Sequence, residues 1–282
     1  MGRNTGKWTE SKIQEMQAKG CGKGTSSSYL PWIRVEDISS LGRSRRIWSP
    51  KTNRTHHLLS DVELGLFIAL EWQRDVTDIR EQYPLDRVGT QEIARNLGIR
   101  HPYYPGTHIP TVMTVDILAT KIIDQKSVLV AFNAKRDEEA EDEKSILKLE
   151  IQRVYFEQLG ITHHAVYDSQ LPKNNIANIS DIREAPLKPQ EIEPKPGHYA
   201  NLGTRMALDF PNADRAKSLQ SFCIEFDGLY GLAPGTSIRV ARILMYERTL
   251  IANLSAENLG NEPLSAFVMT GQTGKLRVTG GV

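Results

Sequence analysis

The feature that most constrains the fold is a carboxylate inside a segment otherwise built for burial: Asp116 lies in TVMTVDILA, Thr111 to Ala119. A lone acid among apolar neighbours must be paired, protonated or bound to a cation. A second apolar run, Val128 to Ala134, follows a turn signal at Asp124 and Gln125, so the two runs read as the strands of a hairpin. Side chains alternate along a strand, so Asn133 and Lys135, which flank Ala134, share a face. Upstream, LLSDVELGLFIALEW places Leu59, Val62, Leu66 and Leu70 at the three- and four-residue spacing of one apolar helix face. Ser60 followed by Glu63 fits a capping box, which gives Glu63 a structural role of its own. Packing of that helix beside the hairpin would bring Glu63, Asp116, Asn133 and Lys135 within reach of one point.

Such a set suits phosphodiester hydrolysis. Hard oxygen ligands hold Mg²⁺, and an ammonium near the scissile phosphate orients water or offsets developing charge. The order acid, strand acid, then N-A-K is that of the restriction-enzyme-like nuclease core, but the bare spacing is common and each member has a structural alternative. Glu63 can serve only as a cap, Asp116 can bond nearby backbone, and Lys135 can extend to water beside an acidic run. Glu150 is a further acid, equally explained by an ion pair with Arg153 or Lys144. The pairs His56–His57 and His163–His164 lack zinc-site spacing, and no Ser, Cys or His nucleophile signature is visible. Gly271 to Lys275 resembles part of a phosphate loop, but its spacing is wrong and no Ser or Thr follows Lys275.

The chain of 282 residues is long enough for about two domains. The organisation expected is a sheet domain over 1–168 and a mainly helical one over 169–282. Residues 1–28 read as irregular around one short helix, Ser11 to Lys19, with little core. A strand is expected over Val76 to Tyr83, a loop-rich region with Pro102, Pro105 and Pro110 after it, then the hairpin, a helix stopped by Gly160, and a strand from His164 to Tyr167. This order gives an α/β sheet flanked by helices. Pro186, Pro189, Pro194 and Pro196 mark an extended excursion near 185–197. Helices over Ala216 to Tyr230 and Ile238 to Leu254, then a ribbon of Phe267–Met269 with Leu276–Val278, suit a winged-helix-like module.

A net charge of +1 hides local asymmetry. Gly42 to His57 carries Arg43, Arg45, Arg46, Lys51 and Arg54 without an acid, interleaved with Trp48, His56 and His57. Guanidinium groups fork onto phosphate oxygens, so this segment is a candidate DNA contact, and a solvated loop is the alternative. Asp137 to Glu143 is acidic and leads into a helix, where acids favour the first turn. The longest apolar run is about five residues against roughly 20 for a membrane span, so no membrane association is expected. Met1 to Thr5 precede no apolar segment, and Cys21 and Cys223 stand 202 positions apart. A cytoplasmic protein without signal, anchor or paired cysteines is the expectation.

Longer motifs narrow this further. YLPW, GRS-x-R-I, THHLLSD-x-EL, LEW and DIREQ-x-PL run in order from about Tyr29 to Leu85, and TVDILA, N-A-K and LKLEIQRVYFEQ follow. They resemble TnsA, the family of 5′-end-cutting subunits of heteromeric cut-and-paste transposases, while the C-terminal third is only loosely similar. The resemblance implies a restriction-endonuclease-like fold with a winged-helix-like C-terminal domain. It also implies Mg²⁺ as cofactor, two ions replaceable by Mn²⁺, and three partners: transposon-end DNA, the TnsB transposase and the ATP-dependent regulator TnsC. It assigns Glu63 and Asp116 as metal-binding acids, Lys135 as the catalytic lysine, and Asn133 with the Ala134 carbonyl as the rest of the metal site. Asn133 departs from the family's usual Gln and Ala134 from its Val. A catalytically degenerate assembly factor and a stand-alone restriction-like nuclease remain as alternatives.

Overall fold

Helix formation begins where glycine and serine content suggests little order. In the computed structural model, described over residues 8–37 and 43–270, α1 spans Glu10–Ala18 and starts at Thr9, whose hydroxyl accepts the Lys12 N–H. Ile13 on α1 is 1% exposed and packs with Trp32, Tyr104 and Val112, while Trp8 stacks on Tyr104 with ring centroids 4.2 Å apart. The expectation of little core in this region is therefore corrected: its aromatic and apolar residues are few, but they converge. Gly22 sits at φ +80°, and a Cβ there would fall 2.1 Å from Pro84 Cγ, so the glycine permits close approach to a strand rather than flexibility.

Strands β1 (Arg45–Ser49) and β2 (Arg54–Leu58) form an antiparallel ribbon, followed by helix α2 (Asp61–Trp72) and strand β3 (Val76–Pro84). The proline-marked region after β3 contains a helix the apolar pattern does not announce, α3 (Arg87–Asn96), started by the Asp86 cap and burying only Thr90, Ile93 and Ala94. Strands β4 (Thr114–Ile123) and β5 (Lys126–Lys135) are the expected hairpin. Asp124 and Gln125 both take positive φ, 48° and 62°, the requirement of a two-residue turn that matches strand twist. Helix α4 (Glu143–Gln158) then crosses to β6 (Thr162–Tyr167), which runs parallel to β5.

The resulting order is β3-β4-β5-β6, antiparallel except for the last pair, a mixed sheet flanked by helices as the sequence reading anticipates. Leu118 and Ala131 of the sheet pack with Ile93 and Ala94 of α3 and Ile151 and Phe156 of α4. Burial of such side chains contributes roughly 1.5–3 kcal/mol each and fixes the strands that carry the polar cluster.

Contacts divide the chain into two units, Met1–Leu171 and Pro172–Val282. The second is mainly helical: α5 (Lys173–Arg183), α6 (His198–Asp209), α7 (Leu219–Leu229) and α8 (Thr236–Tyr246), with a small ribbon of β7 (Leu250–Ile251) and β8 (Val268–Met269). The ribbon partner differs from expectation, because Val268 and Met269 pair with Ile251 and Leu250. Leu276–Val278 and the Gly271–Lys275 segment lie outside the described residues. No regular element occupies 185–197, consistent with its prolines. Among the described residues, no helix is long and apolar enough to cross a membrane.

One buried ion cluster ties the ribbon to the sheet and overturns a sequence expectation. Glu81 on β3 is 0% exposed, and its carboxylate receives Arg54 Nη1 at 2.8 Å, His56 Nδ1 at 2.7 Å and the His57 backbone N–H at 3.0 Å. Arg54 Nη2 also donates to the Ile79 carbonyl, and Tyr29 donates to the Glu81 carbonyl. Burial would raise the Glu81 pKa, but the hydrogen bonds and charges of Arg54 and His56 win and hold it down to about 2. Arg54, expected as a DNA contact, is thus spent inside the protein. Lys51 is likewise turned inward, donating to the carbonyls of Gln73 and Val76. We predict that Arg54→Met loses about 3–5 kcal/mol of stability in urea unfolding, as when one partner of a buried pair is removed, while Arg46→Met changes it by under about 0.5 kcal/mol. Weakened DNA binding by Arg54→Met at unchanged stability would contradict this placement.

Candidate active site

Glu63 reaches the site because the cap that starts α2 also fixes its side chain. The Ser60 hydroxyl accepts the Glu63 backbone N–H at 3.1 Å. The Glu63 carboxylate in turn receives the Leu59 N–H at 3.0 Å and the Ser60 hydroxyl at 3.3 Å, so the return bond goes one residue beyond the cap. Glu63 is 6% exposed, which a cap on the surface would not be.

Asp116 enters from the end of the hairpin. The β4–β5 ladder stops at Ile117 and Phe132, and beyond it Asp116 Oδ2 accepts the Ala134 N–H at 2.9 Å and Asn133 Nδ2 at 3.3 Å. A carboxylate therefore takes over as backbone partner where the strands part. The Asn133 carbonyl oxygen is already used, by His163 Nε2 on β6 at 2.7 Å. Burial, then the neighbouring His164 and Arg153, push the His163 ring down to about 4, so it is neutral at physiological pH and carries its proton on Nε2. Both ends of the Asn133 amide are thus engaged in this structure, one of them with Asp116.

The electrostatics of the cluster are unusual. Burial and the charge of Asp116 push Glu63 up to about 8, against the hydrogen bonds of Leu59, Ser60 and Gln82. Burial likewise raises Asp116, against Lys135, the Ala134 N–H, Asn133 and Gln82. Lys135 ion-pairs with Glu139 at 3.2 Å, and although burial disfavours its charge, Asp116, Glu139 and Glu63 together raise its pKa. The structure thus brings Glu63, Asp116, Asn133, Ala134 and Lys135 together as the sequence reading requires.

Outside this group, Glu150 pairs with Arg153 at 2.8 Å on an exposed face of α4, its structural alternative. Arg43, Arg45 and Arg46 are exposed, and β1 sets Arg45 Nε 3.9 Å from Asp61 Oδ1 in the first turn of α2. A cavity of about 380 Å³ lies in the C-terminal unit, but no residue of the carboxylate cluster lines it. Sequence reasoning passed over Gln82 and weighed His163 only as a zinc ligand. Their signal was polarity inside strands: DIREQ puts five successive residues on β3, four of them polar, and all are buried.

Two acids whose ionisation burial opposes, one of them opposed also by the other's charge, form with the neighbouring ammonium a site a cation would relieve. Among the described residues no group of three or more His, Cys, Asp or Glu side chains is placed to hold a metal ion. A hard cation such as Mg²⁺, bound by one or two carboxylates with water and substrate phosphate, does fit this all-oxygen donor set.

Fold and cluster together define a nuclease-like α/β domain: a mixed sheet whose hairpin end and adjacent helix present paired acids and a lysine. Residues 73–168 match the family described as TnsA-like endonuclease N terminal. The chain is also 38% identical over 171 residues to the transposon Tn7 transposition protein TnsA of Escherichia coli, across 61% of this chain and 62% of that protein. It thus spans under two thirds of that relative's length.

The raised acids make stability pH-dependent. An acid whose pKa rises on folding contributes most while protonated, below its ordinary value near 4.5, and that contribution is lost as pH rises through about 8. Glu63→Gln keeps the shape and removes the charge. The metal-free variant should therefore be more stable than wild type at alkaline pH by about 1–3 kcal/mol, with the difference vanishing at acid pH, as read by urea midpoints. Equal pH dependence of the two proteins would contradict the buried pair.

Proposed function

We propose that this chain is a Mg²⁺-dependent DNA endonuclease that cuts the 5′ ends of a transposon, acting with a TnsB transposase and a TnsC regulator. The observation that carries the reading is the convergence of Glu63 and Asp116 beside Lys135 in a TnsA-like domain. Similarity to a transposition protein supplies the substrate class. Glu63, Asp116 and the Ala134 carbonyl would hold the metal, with Asn133 orienting Asp116 through its amide. Bound there, the ion supplies positive charge that activates water and offsets charge on the leaving oxygen.

The residues divide the remaining work. Lys135, kept charged by its acidic neighbours, faces the phosphate and orients the attacking water. Arg43, Arg45 and Arg46 position the duplex by its phosphates and leave sequence reading to the partner transposase. Residues 169–282, read as a winged-helix-like module, serve assembly with DNA and the other subunits. The protein is assigned to the cytoplasm.

Strand-resolved cleavage of transposon-end DNA by this chain with its TnsB and Mg²⁺ tests the reading. Wild type should nick the 5′ strands, and Asp116→Ala should lower that cutting by about 10²-fold or more while 3′ cutting persists. Absence of 5′ products from wild type alongside 3′ cutting would make the chain an assembly factor. Efficient cutting by the purified chain alone would make it a stand-alone nuclease.

A further inference from the structure

Between Glu63 and Asp116 stands a third polar side chain that the proposed reaction does not use. Gln82 on β3 is 3% exposed and takes φ +48°, a left-handed conformation uncommon outside glycine and asparagine. Register pairs flank it, Glu81 with Ile117 and Tyr83 with Val115, so Gln82 lies across from Asp116. Its backbone carbonyl accepts the Trp32 N–H at 3.2 Å, which holds the departure from regular strand geometry in place. Local strain of this kind persists only where the surroundings enforce it.

The side chain explains what is gained. The Thr114 hydroxyl donates to Gln82 Oε1 at 3.0 Å, which fixes the amide so that Nε2 is the donor end. Nε2 lies 3.4 Å from Glu63 Oε2. Asp116 is the residue directly across the β3–β4 ladder from Gln82, so the same amide stands near both acids. A primary amide has two N–H bonds, enough for one amide to serve both acids.

We propose that Gln82 is a positioning residue for the carboxylate pair: its amide bridges Glu63 and Asp116 and presets the spacing and orientation that a divalent cation needs. The inference rests on the metal-dependent reading of the site. Thr114 is the anchor of the device, and the left-handed turn at residue 82 is what aims the amide between the acids. Groups that orient ligands from behind typically change metal affinity by 10- to 100-fold when removed.

The test is Mn²⁺ titration of the full chain by calorimetry, without DNA. Gln82→Met keeps length and removes both donors. Gln82→Asn suits the left-handed backbone and keeps the fold if Met does not, but its amide is one methylene too short. Both should bind Mn²⁺ about 10- to 100-fold more weakly than wild type, and Thr114→Val should weaken binding in the same direction by a smaller factor. In the cleavage reaction, the Mg²⁺ concentration for half-maximal 5′ cutting should rise in parallel while the rate at saturating Mg²⁺ stays within about threefold, a split a merely structural role would not produce. Wild-type affinity retained by folded Gln82→Asn overturns the inference alone. Absence of Mn²⁺ binding by wild type overturns the metal-dependent reading and this inference with it.

Discussion

Placing two carboxylates side by side in a site withdrawn from water is costly, and much of the first unit is organised around keeping Glu63 and Asp116 there. The charge of Asp116 raises the Glu63 pKa, and burial raises both. The compensations come from four directions: the α2 cap for Glu63, the freed Ala134 N–H for Asp116, the Gln82 amide near both, and the Lys135 charge. None of these neutralises the site in full. On the proposed reading, the remaining unfavourable charge is what would make the site receptive to a cation.

Another buried acid, Glu81, shows the opposite solution. It is adjacent in sequence to Gln82 yet fully paired with Arg54 and His56, and its pKa falls rather than rises. A satisfied carboxylate clamps the β1–β2 ribbon to β3, and that clamp steadies the strand from which Gln82 reaches the site. Removing water from both acids has produced a structural element in one case and a candidate reactive one in the other. Partner number decides between them.

Much of this was legible in the sequence, and the exceptions share a physical reason. The hairpin and α2 announced themselves through apolar period, and Asp116 stood out because an acid in a buried strand has few explanations. The convergence of Glu63 with Lys135 followed from packing a helix on that hairpin. Arg54 and Lys51 misled because composition cannot tell a guanidinium on the surface from one turned onto a buried acid many residues away. The partner of the Asn133 oxygen, His163, was not legible because it comes from a strand brought alongside only by the parallel crossover. Helices α3, α5 and α6 bury few residues each, so their stripes are too sparse to read. Gln82 depends on a single backbone inversion, which local sequence does not signal.

The central claim is that this carboxylate pair is a cation site. The most direct measurement is anomalous diffraction from crystals of the full chain soaked in Mn²⁺. A peak within ligand distance of both Glu63 and Asp116, absent in Asp116→Ala, is the predicted result, at oxygen-ligand distances of about 2.0–2.6 Å. Density showing the two carboxylates sharing a proton with no metal between them, or manganese bound only elsewhere, would contradict the account.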